Sequence, residues 1–283
     1  MTINRVGVVG TGIMGAGIAG VAASAGFEVV VRSRSEGSAG AFLASLAKQL
    51  DRQVEKGKLS EQARDETLGR VTATSSLSEL ANCDLVIEAV IEDLGVKRAL
   101  FRELNHICGS DTILASNTST LSLIDLASET HRPDRVCGLH FFNPASVMPL
   151  VEIARPLTTS DETIDEARAF VERCGKHPVV VKDSTGFIVN ALLFGYLGNA
   201  VRMLEQQVAS MEDIDRAMKG GCNFPMGPFE LYDLIGIDVC VAVFDALFDE
   251  YRQQQYACPP LLRRMVAAGH IGRKAGKGFY DYR

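Results

Sequence analysis

The sequence predicts an α/β fold, a doubly wound and mostly parallel sheet followed by an all-α C-terminal domain. It does so because short apolar runs alternate with helical stretches up to about residue 183, a glycine-rich turn follows the first run, and only helical patterns come after. The runs Arg5–Val9, Glu28–Arg32, Asp84–Ala89, Thr112–Ser116, Val136–Phe141 and Val179–Lys182 are read as strands. Between the second and third, Phe42, Leu46, Leu50 and Val54 recur every four residues, the apolar face of a helix whose other side carries Lys48, Asp51 and Arg52. A helical hairpin continuing past Gly57 is expected there. Beyond Lys182, helices are expected over Ile188–Gln207, Met211–Lys219, Pro228–Phe248 and Leu261–Ala268, with Ser210 and Asp213 spaced as a capping box. No strand pattern returns until Gly278-Phe279-Tyr280. The domains are therefore expected to be 1–184 and 185–283.

With 283 residues, 23% charged and 47% hydrophobic, the chain has the size and composition of a two-domain globular enzyme. A net charge of -6 argues against binding to nucleic acid, so any phosphate on a ligand must be met by local basic groups. The seven cysteines form no C-x-x-C pair, which speaks against a metal site and a redox dithiol. Val6 to Phe27 is uncharged, yet glycine-rich and without a basic leader or cleavage site; it is read as a buried strand and helix rather than a membrane or targeting segment. A cytoplasmic location is expected.

Val6-Gly7-Val8-Val9-Gly10-Thr11-Gly12-Ile13-Met14-Gly15 sets G-x-G-x-x-G between an apolar strand and a Gly/Ala-rich helix, the context in which the motif signals a Rossmann-like dinucleotide site. Gly10 makes the tight turn, Gly12 admits the pyrophosphate and Gly15 allows close helix packing, with Ile13 and Met14 at the helix start beside the cofactor. A ribose-binding acid is expected at the end of the second strand, but Arg32-Ser33-Arg34 stands there. A serine between two guanidiniums suits a 2'-phosphate better than a bare 2'-hydroxyl, which favours NADP over NAD. The alternative is that both arginines are merely solvated.

His140, in Gly138-Leu139-His140-Phe141-Phe142-Asn143-Pro144, would taken alone be read as a satisfied core histidine before a catalyst. Glu152 changes the balance: an acid inside the apolar run 149–153 is costly unless paired, and an imidazole is its natural partner. Ser116-Asn117-Thr118-Ser119 follows a strand at the carboxyl edge where parallel sheets bind ligands. Asn190 falls in the first turn of the helix that opens the second domain.

These segments, with Ile87–Glu92, Gly186–Asn190, Pro225–Pro228 and Gly276–Tyr280, resemble the two-domain 3-hydroxyacyl-CoA dehydrogenase family, in its short 3-hydroxybutyryl-CoA form, over essentially the whole chain. The resemblance implies oxidation of a short 3-hydroxyacyl-CoA to the 3-ketoacyl-CoA, or the reverse, with an NAD(P) cofactor and a homodimer formed through the C-terminal domain. It implies that His140 is the general acid and base, oriented by Glu152, with Ser119 and Asn190 bonding the reacting oxygen or the histidine. Glu92, Lys97 and Asn117 match positions on the cofactor side, and Ser45 and Arg52 match contacts to the nucleotide end of coenzyme A. Two departures stand out: Ser33 replaces the common Asp, and Thr185 stands where a proline often precedes the Gly-Phe-Ile-Val-Asn run. The rivals are the same chemistry on a carrier-protein-tethered acyl group, and a nucleotide-binding protein without catalysis.

Overall fold

A computed structural model describes residues 2–283, which divide into two compact units between Ser184 and Thr185. In the first, eight strands form one sheet: β1 Arg5–Val9, β2 Glu28–Arg32, β3 Val71–Thr74, β4 Leu85–Glu88, β5 Ile113–Ser116, β6 Val136–Phe141, β7 Leu150–Arg155 and β8 His177–Lys182. Their order is β3-β2-β1-β4-β5-β6-β7-β8; β3 to β6 run parallel, β7 is antiparallel to β6, and β8 is parallel to β7. Helices α1 Ile13–Ser24, α2 Glu36–Glu55, α3 Glu61–Gly69, α4 Leu94–Ile107, α5 Leu123–Ala127 and α6 Asp161–Arg173 make the connections. This is the Rossmann-like doubly wound arrangement, with the strand order reversing between β1 and β4.

Every residue of β4, β5 and β6 is buried, as expected of parallel strands covered on both faces. On one face Ile18, Ala19, Ala22 and Ala23 of α1, Phe42, Leu46 and Leu50 of α2 and Ile164, Ala167 and Phe170 of α6 close over Val8, Val31, Ile87, Ala115, Leu139 and Ile153. Each Val, Leu, Ile or Phe side chain among them contributes about 1.5–3 kcal/mol by leaving water. Helix α2 begins at Ser35, whose hydroxyl accepts from the Ser38 backbone N–H while Ser38 caps back, a reciprocal capping box. After Gly57, which takes a positive φ of 66°, the chain returns as α3.

Two strands differ from the sequence expectation. Val71–Thr74 is an edge strand of Val-Thr-Ala-Thr, too short and polar to stand out, and Leu150–Arg155 carries Glu152 in its centre.

The second unit is helical: α7 Val189–Glu205, α8 Met211–Cys222, α9 Pro228–Ile235, α10 Ile237–Tyr251 and α11 Pro260–Ala267 pack around Phe194, Leu197, Phe229, Tyr232, Phe244 and Leu247. The single helix expected over Pro228–Phe248 is two, because Gly236 takes φ 103° and ends α9 with its N–H on the Tyr232 carbonyl. Ser210 caps α8 by accepting from the Asp213 N–H, but its hydroxyl donates to the Asp213 carboxylate, so the box is not reciprocal. Nor does Gly278-Phe279-Tyr280 make a strand. The Phe279 and Tyr280 N–H groups donate to the fully buried Asp233 carboxylate, each at 2.8 Å. Among the described residues no helix is long and apolar enough to cross a membrane.

Candidate active site

The carboxyl end of β1 turns through Gly10 into α1, with Gly12 at the N-cap. Gly10 sits at φ 121°, where a Cβ would press on the carbonyl of Ala89 at the end of β4, and a Cβ at Gly15 would fall on the Gly10 carbonyl. Both glycines are therefore demanded by the protein's own backbone. At Gly12 nothing lies within 4 Å of the Cβ position, so the protein leaves room there for something else. Helix α1 has no side-chain cap and no acid in its first turn, which leaves its amino terminus suited to an anion. Ile13 is exposed beside it and Met14 is half-buried. The turn fits a dinucleotide pyrophosphate, and Gly12 is the residue whose lack of a side chain only such a ligand would exploit.

At the end of β2, Ser33 is buried and its hydroxyl lies 2.5 Å from the Ser38 hydroxyl and 3.2 Å from that of Thr11. Arg32 donates through Nε to the Ser75 carbonyl at 3.2 Å, while Arg34 is exposed. The serine is thus built into a hydroxyl cluster at the start of α2, and Arg34 with the outer end of Arg32 carries the positive charge.

His140 and Glu152 are directly opposed across the antiparallel pair β6 and β7. His140 Nδ1 lies 2.8 Å from Glu152 Oε2; the imidazole is 6% exposed and the carboxylate fully buried. The cross-strand register, rather than a loop, fixes this distance. The Phe142 ring packs on the imidazole with centroids 4.4 Å apart, and Asn117 Oδ1 accepts from the Phe141 N–H at 2.9 Å, tying the end of β5 to the residue after the histidine. A carboxylate on Nδ1 selects the tautomer in which that nitrogen carries the proton and directs proton exchange to Nε2.

Beside β6, the ends of β4 and β5 carry a second polar assembly. Glu88, fully buried, accepts from Lys97 Nζ at 2.6 Å, from the Val90 N–H at 2.7 Å and from the Ser116 hydroxyl at 2.6 Å. Lys97, itself buried, also pairs with Glu92 at 3.2 Å. Glu92 in turn accepts from the Thr118 hydroxyl at 2.6 Å and from the Ser119 N–H at 3.0 Å. Loss of water on burial works to raise the Glu92 carboxyl, but Lys97, Thr118 and Ser119 outweigh it and hold the group below the ordinary carboxylate range. Glu88, inside the run Asp84–Ala89 read from the sequence as a strand, carried no role there. The available signal was the one that exposed Glu152, an acid at the end of a buried run.

Burial pushes the Cys83 and Cys137 thiols up to about 12, where almost no thiolate forms at neutral pH.

Ser45 and Arg52 are both exposed on α2, two turns apart and hence on one side of it. Against the same helix lies a cavity of about 380 Å³ whose polar lining includes Ser24, Gln49, Gln53, Ser146, Arg173 and Lys176. In the second unit, Asn190 is the half-buried second residue of α7. The segment before it turns through Gly186 at φ 78°, and Tyr251 donates to the Thr185 carbonyl at 3.0 Å, so the position that lacks the proline is held by a side chain instead.

Residues 5–184 match the family model described as 3-hydroxyacyl-CoA dehydrogenase, NAD binding domain, and residues 186–282 match the corresponding C-terminal domain. A 3-hydroxybutyryl-CoA dehydrogenase of Mycobacterium tuberculosis is 46% identical over 282 residues, covering 99% of both chains. The crystal structure of M. tuberculosis FadB2 superimposes with a TM-score of 0.97 at 46% identity, and that of (S)-3-hydroxybutyryl-CoA dehydrogenase PaaH1 from Ralstonia eutropha with 0.96 at 42%, each over the full length of both chains. With its glycine turn, its strand order and both halves accounted for, the chain belongs to the 3-hydroxyacyl-CoA dehydrogenase family.

Proposed function

We propose that this chain interconverts a short-chain 3-hydroxyacyl-CoA and the 3-ketoacyl-CoA, with His140 as the proton-transferring group. The observation that carries this is the buried His140–Glu152 pair at the end of a central strand, in a sheet whose first turn is shaped for a dinucleotide. A bound nicotinamide nucleotide supplies the hydride acceptor or donor. In oxidation, His140 Nε2 takes the proton of the C3 hydroxyl; in reduction it returns one to the C3 oxygen. Glu152 holds the ring and compensates its charge when both nitrogens are protonated. Ser119 and Asn190 bond the substrate oxygen, while Glu92, Lys97 and Asn117 shape the cofactor side. Ser45 and Arg52 receive the nucleotide end of coenzyme A, where Arg173 and Lys176 at the neighbouring cavity add positive charge. The working assembly is a homodimer formed through the helical unit, which exposes Leu192, Val208, Phe224 and Leu234.

NADP is the preferred cofactor, on the strength of a β2 end with two arginines and no ribose-binding acid. Steady-state reduction of acetoacetyl-CoA with NADPH and with NADH tests both halves of the proposal. Turnover with a lower KM for NADPH is expected; a clear preference for NADH removes the role given to Arg32, Ser33 and Arg34. His140→Gln is expected to lower kcat by roughly 10²–10⁴-fold with the fold intact, and near-normal turnover would remove the histidine from the mechanism.

A further inference from the structure

The polar groups beside β6 close into a ring. Glu88 binds Lys97 at 2.6 Å and Lys97 binds Glu92 at 3.2 Å. Glu92 binds the Thr118 hydroxyl at 2.6 Å, the Thr118 N–H donates to Ser116 Oγ at 3.2 Å, and Ser116 donates back to Glu88 at 2.6 Å. Two separate routes thus lead from Glu88 to the segment Thr118-Ser119, one through the ammonium and Glu92, the other through Ser116. Glu88 has no exposed surface, so it touches neither substrate nor cofactor. A buried acid and a buried lysine each give up their hydration, and apolar residues of similar size would fill the same space at less cost. What the charged ring adds is a fixed geometry, since each member has its neighbours within hydrogen-bond distance and any change in one displaces the next.

We infer that Glu88 is a positioning residue for the reaction, setting the placement of Ser119 through Lys97–Glu92 on one side and Ser116–Thr118 on the other. Its negative charge divides Lys97 between two carboxylates. Without that charge Lys97 turns wholly to Glu92, the acceptor that holds the Ser119 N–H, and Ser116 loses its ionic acceptor at the same time. The alternative, a purely structural ion pair joining β4 to α4, predicts a loss of stability and a loss of activity that does not depend on Ser119.

Because the inference rests on the role proposed above for Ser119, the test is a double-mutant cycle of Glu88→Gln and Ser119→Ala, read as kcat for acetoacetyl-CoA reduction at saturating cofactor. Glu88→Gln is expected to lower kcat about tenfold in the parent and less than twofold in the Ser119→Ala background, with the KM for cofactor changed less than threefold in either. Effects that multiply independently, or a Glu88→Gln enzyme with parental kcat, overturn the inference while leaving the proposed function standing. A Ser119→Ala enzyme with parental kcat overturns the role of Ser119 itself, and the inference falls with it. If Glu88→Gln does not fold, Ser116→Ala replaces it in the cycle. That variant keeps the Glu88–Lys97 pair and cuts the second route alone; about a threefold loss in kcat that vanishes in the Ser119→Ala background supports the inference, and a loss that persists there overturns it.

Discussion

The two units bury their acids to different ends. In the sheet unit Glu88 and Glu152 are met mainly by side chains at the carboxyl edge of the sheet, namely Lys97, Ser116 and His140. In the helical unit Asp215 accepts from the Phe229 and Glu230 N–H groups and the Tyr280 hydroxyl, and Asp233 accepts from the N–H groups of Phe279 and Tyr280. All four are almost or wholly without exposed surface. A carboxylate satisfied by backbone amides is finished: it pins a helix start or a chain end and offers nothing to a ligand. One satisfied by an imidazole or an ammonium still governs a group that can exchange a proton or shift its charge. On the roles proposed for His140 and Glu88, the partner more than the burial separates chemistry from architecture.

That contrast is broken most decisively at Glu152. Glu152→Gln retains an oxygen that can accept from Nδ1 but removes the compensating charge, so kcat is expected to fall roughly 10²-fold while the thermal midpoint stays close to the parent's; turnover within threefold of the parent would place Glu152 with the architectural acids. The converse is Asp233→Ala. Leaving two amide donors without their ionic acceptor is expected to cost on the order of 3 kcal/mol, seen as a lowered midpoint in thermal unfolding followed by circular dichroism, with kcat of the remaining folded enzyme unchanged. A selective loss of kcat without loss of stability would reverse the assignment.

The smallest effect sharpens the comparison by pH. Glu92 is held below the ordinary carboxylate range by Lys97, Thr118 and Ser119 acting against its partial burial, so its folded pKa lies under its unfolded one. The stability it contributes is complete above the unfolded value and lost as the pH falls through the folded one. Glu92 is 39% exposed and solvent screens it, so the contribution is below about 1 kcal/mol. Melting temperatures taken between about pH 6 and about pH 3 should fall less steeply for Glu92→Gln than for the parent; identical slopes would show that the ring adds no pH-linked stability.

Much of this was legible in the residues alone. The glycine turn announced itself because each glycine has a separate steric reason, and β1, β2, β4, β5 and β6 because their runs are mostly apolar. An acid in an apolar run pointed to Glu152. What escaped was what depends on pairing: β3 is Val-Thr-Ala-Thr and owes its extension to β2, and β7 reads as a strand only once β6 lies beside it. Glu88 escaped for a related reason. Its side-chain partners come from residues 97 and 116, so nothing in its own neighbourhood marks it as the centre of a ring. Gly236 escaped because a glycine inside a long apolar helical pattern is tolerated as often as it breaks the helix.

The antiparallel register that sets His140 against Glu152 also decides where the gene can absorb insertions and deletions. Side chains alternate across a strand, so one residue added within 150–151 would carry Glu152 to the opposite face of the sheet and bring Val151 against the histidine. Residues 142–149, which join the two strands, lie outside the paired register, and a change in their number leaves the alternation of both strands intact. Length variation among descendants of this chain should therefore collect at the exposed residues 146–149, beyond Phe142 and the buried Ala145, and be absent from the six residues that follow.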